Sequence, residues 1–253
     1  MTTRTIGMIF AAGVGSRLAP LTLTTPKALV PVDGIPMLER VIRRFTDYGI
    51  TDIVVNVHHF ANKIIEFLKV NNNFNVNIHI SDETDKLLDT GGALVNAADF
   101  FQGFDNILIH NADIVSDVNL GDMLHAHMES KADATLLVSD RKSSRVLYFD
   151  QTSLNLLGWE NLTAGRCIPS NLHSFLKNDI ALAFGGIHLF STRCLPLLSS
   201  FTNETAFSII PFYAEMCRNL KIRGYIPRYK YFWFDIGSPE KLLAANKALS
   251  HTN

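Results

Sequence analysis

The stretch FAAGVGSRLAPLTLTTPKALVPV, residues 10–32, decides the fold, and we call it the glycine-rich loop. The apolar run before it, Ile6 to Phe10, predicts a buried strand. The loop itself is expected to be extended, because its three prolines interrupt any long helix. In an open α/β sheet, such a loop lies at the carboxyl end of its strand, where ligands bind.

The composition of this loop is typical of a site for a polyphosphate. Small residues leave backbone N–H groups uncovered for phosphate oxygens at Ala11, Ala12, Gly13 and Gly15. Arg17 can grip a phosphate with two hydrogen bonds, and Lys27 adds a mobile point charge. A tight turn with two solvent-facing cations is the plainer alternative. The preceding strand and the two cations together favour phosphate binding.

Two common phosphate-binding loops are excluded. The pattern GxxxxGK[ST] is absent because no Gly-Lys pair occurs anywhere in the sequence. The dinucleotide pattern GxGxxG fails at its third glycine, where Leu18 stands.

Outward from the loop, short apolar runs alternate with helical patterns. Strands are expected at Asp52 to Val57, Val76 to Ile80, Asn106 to His110 and Ala134 to Val138. Helices are expected from Pro36 to Gly49, through Ile64, Ile65 and Leu68, from Gly91 to Ala98 and from Asn119 to Glu129. This order predicts an α/β fold with a mostly parallel, Rossmann-like mixed sheet and helices on both faces.

The pattern becomes less regular after about residue 140, but no linker or repeat divides the chain, so we expect a single domain. The second half predicts a hairpin, then a loop or insertion, then a strand interrupted by glycines. These segments are Arg145 to Asp150 with Leu154 to Trp159, Glu160 to Asp179, and Ala181 to Phe190. Two helices follow, Ser208 to Asn219 and a last one that begins at Ser238 and Pro239.

Composition and charge argue against several classes of protein. A net charge of −1, with no strongly basic half, argues against a nucleic-acid partner. No segment approaches the roughly 20 apolar residues of a membrane span, and a strand explains the N-terminus better than a signal peptide. Three widely spaced cysteines without a CxxC pair favour a reducing cytoplasm. The histidines show no metal spacing, and His125 and His127 are expected to face solvent or pack in loops.

Two aspartates stand at predicted strand ends. Asp113 follows the strand Asn106 to His110, and Asp235 ends the apolar run before the last helix. Together their carboxylates can hold one Mg²⁺, a hard ion that takes oxygen ligands and phosphate partners. A turn or helix-capping role is the alternative for either aspartate taken alone.

The loop pattern A-A-G-x-G-S-R-L-x-P-L-T-x-x-x-P-K resembles the signature of the sugar-1-phosphate nucleotidyltransferases. Four further segments occur in the family's order, LLDTGGAL (87–94), HNADI (110–114), AFGGIHLF (183–190) and WFDIGSPEKL (233–242). The resemblance covers nearly the whole chain and is closest to the N-acetylmuramate 1-phosphate uridylyltransferase-like branch. It implies a fold of the nucleotide-diphospho-sugar transferase type. It also implies a cytoplasmic, Mg²⁺-dependent enzyme that joins an NTP to a sugar 1-phosphate and supplies precursors of cell wall or polysaccharide.

The same resemblance implies a role for individual residues. Residues 1–140 would form the nucleotide-binding half and residues 141–253 the acceptor half. The catalytic residues would be Arg17, Lys27, Asp113 and Asp235, with the two aspartates as Mg²⁺ ligands. Nucleotide binding is implied for Ala11, Ala12, Gly13, Gly15, Ser16, Arg17, Thr90, Gly91, Gly92 and Asn111. Sugar binding is implied for Lys27, Phe184, Gly185 and Gly186, with Glu160 and Asn161 as further candidates.

One element of the family pattern is missing. Many relatives have an E-K-P segment that binds the sugar and its phosphate, whereas this chain reads GWENLTAGRCIPSN at residues 158–171. Glu160 or Asn161 is a candidate for the sugar contact, and Arg166 for the cation. The acceptor is therefore open and includes non-sugar phosphates such as phosphocholine. The base is open as well, with uracil taken from the closest branch, and so is the oligomeric state.

Two other functions remain as alternatives. A regulatory paralogue that binds nucleotide without turnover is expected to lack one of the two loop cations or one of the two aspartates, yet all four are present. A glycosyltransferase of related topology normally has a DxD metal motif, and NAD at residues 111–113 is only half of one.

Overall fold

A computed structural model gives the fold of residues 3–250. The strands of this part of the chain are β1 Thr5–Phe10, β2 Pro31–Val32, β3 Ile35–Pro36, β4 Asp52–Val57, β5 Asn77–Asp82, β6 Asn106–Asn111, β7 Ile114–Ser116, β8 Ala134–Ser139, β9 Arg145–Asp150, β10 Leu156–Asn161, β11 Arg166–Ile168, β12 Asp179–Ser191, β13 Ile222–Tyr225 and β14 Trp233–Asp235. The α-helices are α1 Met37–Asp47, α2 Ala61–Val70, α3 Asp89–Asn96, α4 Leu120–Ser130, α5 Leu195–Ser199, α6 Ile209–Met216 and α7 Pro239–Leu249.

Ten strands form one mixed sheet, whose main path runs β11-β10-β9-β12-β6-β1-β4-β5. β1 pairs in parallel with β4 and β6, and β4 with β5, so the carboxyl ends of these four strands share one edge. The long strand β12 pairs antiparallel with β6, β8 and β9 and joins this parallel part to the hairpin β9-β10. β13 lies beside β8. The predicted α/β fold with a mixed sheet is confirmed.

Apolar side chains cover both faces of this sheet. One core cluster packs Ile6, Met8 and Ile109 against α3 and α6, and the other packs Ile9 and Leu108 against α1, α2 and α4. In α1 the residues predicted for one apolar face are all buried, namely Met37, Leu38, Val41, Ile42 and Phe45. The prediction of helices on both faces is confirmed. Within residues 3–250, no helix is both long enough and apolar enough to cross a membrane.

Two helices were predicted to begin at a proline, and one of them does. Ser238 caps α7 and Pro239 is its first residue, as predicted. Pro36 instead ends β3 with ψ of 140°, and α1 begins one residue later. In α2, Ile64 is buried but Ile65 is 37% exposed, because neighbouring helical residues point about 100° apart.

The segment Glu160 to Asp179, predicted as a loop or insertion, is mostly turn and loop, but it also contains the end of β10 and the short strand β11, which the prediction missed. β10 continues to Asn161, and β11 returns antiparallel with Trp159 opposite Ile168. The Asn161 Oδ1 atom accepts from the N–H groups of Thr163 and Ala164, each at 3.2 Å, and closes the turn between these strands. The polar composition concealed the short strand β11 at the edge of the sheet.

Three histidines lie in the core, and the expectation for His127 is wrong. His127 is 2% exposed because it belongs to the inner face of α4, and its Nδ1 lies 2.9 Å from Thr135 Oγ1 and its Nε2 3.1 Å from Asn106 Oδ1. Burial lowers the pKa of His127 to about 4, and the pKa of both His110 and His188 to about 3.

The buried histidines should make the fold sensitive to acid. Their folded pKa values lie below the ordinary value of about 6.5, so the unfolded chain binds protons first as the pH falls. Each histidine then lowers the free energy of unfolding by about 1.4 kcal/mol per pH unit, starting below about pH 6.5 and ending at its folded pKa. Replacing His188 with Leu should remove about this slope between about pH 6 and pH 4.5.

Urea unfolding across this pH range measures the slope. His125→Gln is the matched control, because His125 is exposed and should leave the slope unchanged. A wild-type slope in His188→Leu would contradict the burial of a neutral imidazole at this position.

Candidate active site

The two aspartates proposed from the sequence lie side by side. β7 and β14 pair antiparallel with Asp235 opposite Ile114, and the Ile236 N–H group donates to the Asp113 carbonyl oxygen at 2.9 Å. This small sheet follows directly after β6, at the edge where the parallel strands end. Two carboxylates that are far apart in the sequence therefore share one place in the fold.

Each of these aspartates has a lysine partner. The Lys27 ammonium forms an ion pair with Asp113. The Lys27 side chain is only 13% exposed. Lys241 pairs with Asp235, which also accepts from the Gly237 N–H group at 2.6 Å. Burial acts to raise the pKa of Asp235, but the hydrogen bonds from Lys241 and Gly237 and the charge of Lys27 outweigh it, so the pKa is lowered. Asp235 is therefore a carboxylate at neutral pH.

The glycine-rich loop reaches these aspartates through three short 3₁₀ turns, in place of one extended segment. Gly15 has φ of 71°, and a Cβ atom there would lie 3.0 Å from Lys27 Cβ, so glycine permits the loop to fold back. Arg17 lies beside Gly237, where a Cβ atom would be 3.0 Å from Arg17 Nη2 and 2.5 Å from Asp235 Oδ1. The two loop cations therefore lie next to the two aspartates, Lys27 beside Asp113 and Arg17 near Asp235.

A cavity of about 310 Å³ opens between this loop and α3, at the carboxyl ends of β1, β4 and β6. Lys27 and Asp113 lie in its wall. Five of the residues proposed to bind nucleotide line it, namely Ala11, Ala12, Gly13, Thr90 and Asn111. Gly15, Ser16 and Arg17 lie further along the loop and are not among its lining residues.

Two polar residues that line this cavity, Asn56 and Glu83, were not predicted from the sequence. Asn56 Oδ1 accepts from the Ala11 N–H group at 2.7 Å, and Asn56 Nδ2 donates to Glu83 Oε1 at 2.7 Å. Glu83 also accepts from the Leu88 N–H group at 3.0 Å. Burial raises the pKa of Glu83, although these hydrogen bonds oppose the shift. The network ties the start of the loop to the segment before α3, and its only signal in the sequence is an Asn inside an apolar strand.

Gly91 and Gly92 are buried against another segment of the chain. Both N–H groups donate to the Phe207 carbonyl oxygen, at 2.8 Å and 3.2 Å. A Cβ atom would overlap the Phe207 ring at Gly91 and the Thr205 carbonyl oxygen at Gly92. Thr90 Oγ1 accepts from the first N–H group of α6 at 3.0 Å. The two glycines therefore have a packing role that is independent of any ligand.

Gly92→Ala should destabilise the fold by about 1–3 kcal/mol, because the added methyl group meets backbone that cannot rotate away. Thermal unfolding of the variant measures this effect. Gly13→Ala is the matched control, since a Cβ atom at Gly13 meets nothing within 4 Å. Equal stability of the two variants would contradict the close approach of α3 to Thr205.

The segment proposed to bind the sugar forms a bulge in β12. The register with β8 shifts after Phe184, as the paired glycines suggest. Gly186 has φ of 71°, and a Cβ atom there would lie 3.0 Å from Asn111 Nδ2. Trp233 Nε1 donates to the Gly185 carbonyl oxygen at 2.8 Å. The bulge therefore contacts both a cavity residue and the strand that ends in Asp235.

Glu160 and Asn161 have other partners in the structure, and Arg166 lies at the surface. The Glu160 carboxylate accepts from the Tyr148 hydroxyl at 2.7 Å, whereas Asn161 closes a turn and Arg166 is exposed on the edge strand β11. β9 separates β10 from β12, so two strand spacings, about 10 Å, lie between β12 and the strand of Glu160 and Asn161, and β11 with Arg166 lies one spacing further out. The structure does not join these three side chains to the bulge.

Comparison with known proteins places the sequence in a family. A sequence profile described as Nucleotidyl transferase matches residues 6–147. An N-acetylmuramate alpha-1-phosphate uridylyltransferase from Caulobacter vibrioides is 28% identical over 97% of this chain and 97% of that protein. A mannose-1-phosphate guanyltransferase from Schizosaccharomyces pombe is 33% identical over 93% of this chain, which spans 62% of that relative.

A solved structure has the same fold. It is a crystal structure from Bacillus anthracis, described as a glucose-1-phosphate thymidylyltransferase in complex with sucrose. Its TM-score is 0.80 over 98% of this chain and 96% of that one, at 21% identity, and confirms the predicted fold type. Because the family profile covers more than half of the 253 residues, the chain belongs to the nucleotidyl transferase family, as its resemblance to sugar-1-phosphate nucleotidyltransferases predicts.

Proposed function

We propose that this chain joins an NTP to a sugar 1-phosphate and releases pyrophosphate. UTP is the NTP that we favour. The observation that carries the proposal is the meeting of two loop cations with two strand-end aspartates beside a cavity. In the reaction, an oxygen of the acceptor phosphate attacks the α-phosphorus. The bond between the α-phosphorus and the bridging oxygen breaks, and pyrophosphate leaves with that oxygen.

No side chain needs to act as a nucleophile in this reaction, so positioning and charge carry the catalysis. Arg17 binds the β- and γ-phosphates and holds the leaving group. Lys27 stabilises charge at the α-phosphate and at the incoming phosphate. The low exposure of Lys27 supports this role, because a desolvated and fixed ammonium stabilises developing charge more strongly than an exposed one.

Asp113 and Asp235 fit a Mg²⁺ site by their chemistry. Both offer carboxylate oxygens, and each forms an ion pair with a lysine. Residues 3–250 contain no group of three or more His, Cys, Asp or Glu side chains suited to a metal. Phosphate oxygens and water would therefore complete the shell, as is usual for Mg²⁺. When bound, the ion would neutralise charge on the triphosphate.

We assign the nucleotide to residues 1–140 and the acceptor to residues 141–253. The cavity and the glycine-rich loop belong to the first half, and the β12 bulge belongs to the second. Phosphates would lie along Ala11, Ala12, Gly13, Gly15 and Ser16, with the base and ribose toward Thr90, Gly91, Gly92 and Asn111. The sugar would lie against Phe184, Gly185 and Gly186.

UTP and N-acetylmuramate 1-phosphate are the first substrates to test, because the relative of that activity matches over 97% of both chains. GTP and mannose 1-phosphate come second, since the matching guanyltransferase is longer than this chain. We also infer a cytoplasmic location, which the three free cysteines support. The product would serve as a precursor of cell wall or polysaccharide.

A panel assay tests the proposal. Each NTP is incubated with Mg²⁺ and with a set of sugar 1-phosphates that also includes phosphocholine, and pyrophosphate is measured. We expect pyrophosphate only when an NTP and an acceptor are both present. Release without an acceptor, or no release with any pair, would contradict the proposed reaction.

A further inference from the structure

Arg141 has no role in the site described above, yet it lies where the acceptor half meets the aspartates. It follows the end of β8, where Val138 pairs with Phe184 of β12 and Ser139 with Ala183. Its Nη2 atom donates to the Phe184 carbonyl oxygen, and its guanidinium carbon lies 4.1 Å from the centre of the Trp233 ring. Trp233 stands two residues before Asp235, so Arg141 contacts both the bulge and the strand of that aspartate.

The charge of Arg141 forms no ion pair with a carboxylate of residues 3–250. Its buried Nε atom has no hydrogen-bond partner in that part of the chain. Burial lowers the pKa of Arg141, and the charge of Asp235, beyond ion-pair distance, opposes this shift. A half-buried guanidinium stays protonated, and without an anion it costs free energy.

We propose that Arg141 binds the phosphate group of the acceptor. This inference rests on the proposed function and names the residue that holds its second substrate. The ring of Trp233 and the carbonyl of Phe184 fix the guanidinium plane, while no hydrogen bond within residues 3–250 engages Nη1, which leaves that group for an anion. Arg17 and Lys27 approach the aspartates from the glycine-rich loop, whereas Arg141 adds a cation from the strands of the acceptor half. Arg166, the candidate from the sequence, is exposed on the edge strand instead.

The indole N–H group of Trp233 reports on this position. The chain has two tryptophans, so ¹⁵N-labelled protein gives two indole signals, and a Trp159→Phe variant assigns them. Inorganic phosphate should shift the Trp233 signal of the wild type. Arg141→Gln removes the charge but keeps an N–H group for Phe184, and it should weaken the phosphate response by about tenfold or more. Arg141→Lys should be intermediate, and the control Arg166→Gln should match the wild type.

Steady-state kinetics adds a second measurement with the best acceptor of the panel. In Arg141→Gln, the KM for the acceptor should rise about tenfold or more while the KM for the NTP changes by less than about threefold. A wild-type Trp233 signal that ignores phosphate, or an Arg141→Gln variant that retains the full response, would overturn the inference. If Arg141→Gln fails to fold, a wild-type response in Arg141→Lys would overturn it. If no acceptor is turned over, the proposed function fails, and the phosphate titration still decides the role of Arg141.

Discussion

Replacing Lys27 with Ala is expected to lower kcat by roughly 10²–10³-fold, the usual cost of losing one preorganised group that stabilises transition-state charge. Lys27 is held by Asp113 and largely desolvated before any substrate binds, so little reorganisation is needed during the reaction. The KM for the NTP should change by less than about threefold, because Arg17 holds the part of the triphosphate that binds in the ground state. Pyrophosphate release at saturating acceptor measures both constants.

The control for Lys27 is a lysine that touches the same loop away from the aspartates. Lys63 donates to the Thr24 carbonyl oxygen, and Lys63→Ala should keep the wild-type kcat. A melting temperature for each variant separates a catalytic loss from unfolding, since Lys27→Ala leaves Asp113 without its partner. A folded Lys27→Ala enzyme with wild-type kcat would contradict the role assigned to this residue.

Asp113→Asn and Asp235→Asn should each weaken binding of a divalent cation by roughly 10²–10³-fold, because a unit charge near a cation contributes about 4 kcal/mol at intermediate dielectric constant. Mn²⁺ is a suitable probe, since electron paramagnetic resonance counts the free ion directly. Turnover should fall together with metal binding. The turnover of the double variant should be only slightly lower than that of either single variant, because the effects of residues that act as one unit are not additive.

Asp140→Asn is the matched control for these variants. Asp140 is exposed and follows β8, outside the β7-β14 pair that carries the two aspartates. It should bind Mn²⁺ as the wild type does. Wild-type Mn²⁺ affinity in both Asp113→Asn and Asp235→Asn would show that the cation binds elsewhere.

Local sequence patterns predicted the parts of the fold that depend on neighbouring residues. Asp52 to Val57 and Arg145 to Asp150 are strands with the expected bounds, since apolar periodicity and strand length are local properties. The placement of Asp113 and Asp235 after apolar strands predicted that they share a site, but the pair β7-β14 that brings them together is a separate small sheet that no local pattern indicated. What each carboxylate binds stays a prediction.

Other features depend on contacts between distant segments, which no local pattern records. Gly92 is required because the carbonyl group of Thr205 leaves no room for a Cβ atom. Asn56 is required because its side chain donates a hydrogen bond to Glu83. Arg141 looks like an ordinary polar residue after a strand until Trp233 is placed against it. The edge strand β11 was missed because a short strand with one partner needs few apolar residues.

The most direct measurement follows the oxygen atoms of the reaction. The acceptor is prepared with ¹⁸O in the non-bridging positions of its phosphate, and the products are separated and analysed by mass spectrometry. If the acceptor phosphate attacks the α-phosphorus, all of the label stays in the nucleotide-linked product and the released pyrophosphate carries none. Label in the released pyrophosphate, or loss of the labelled phosphate as a free ion, would contradict nucleotidyl transfer at this site.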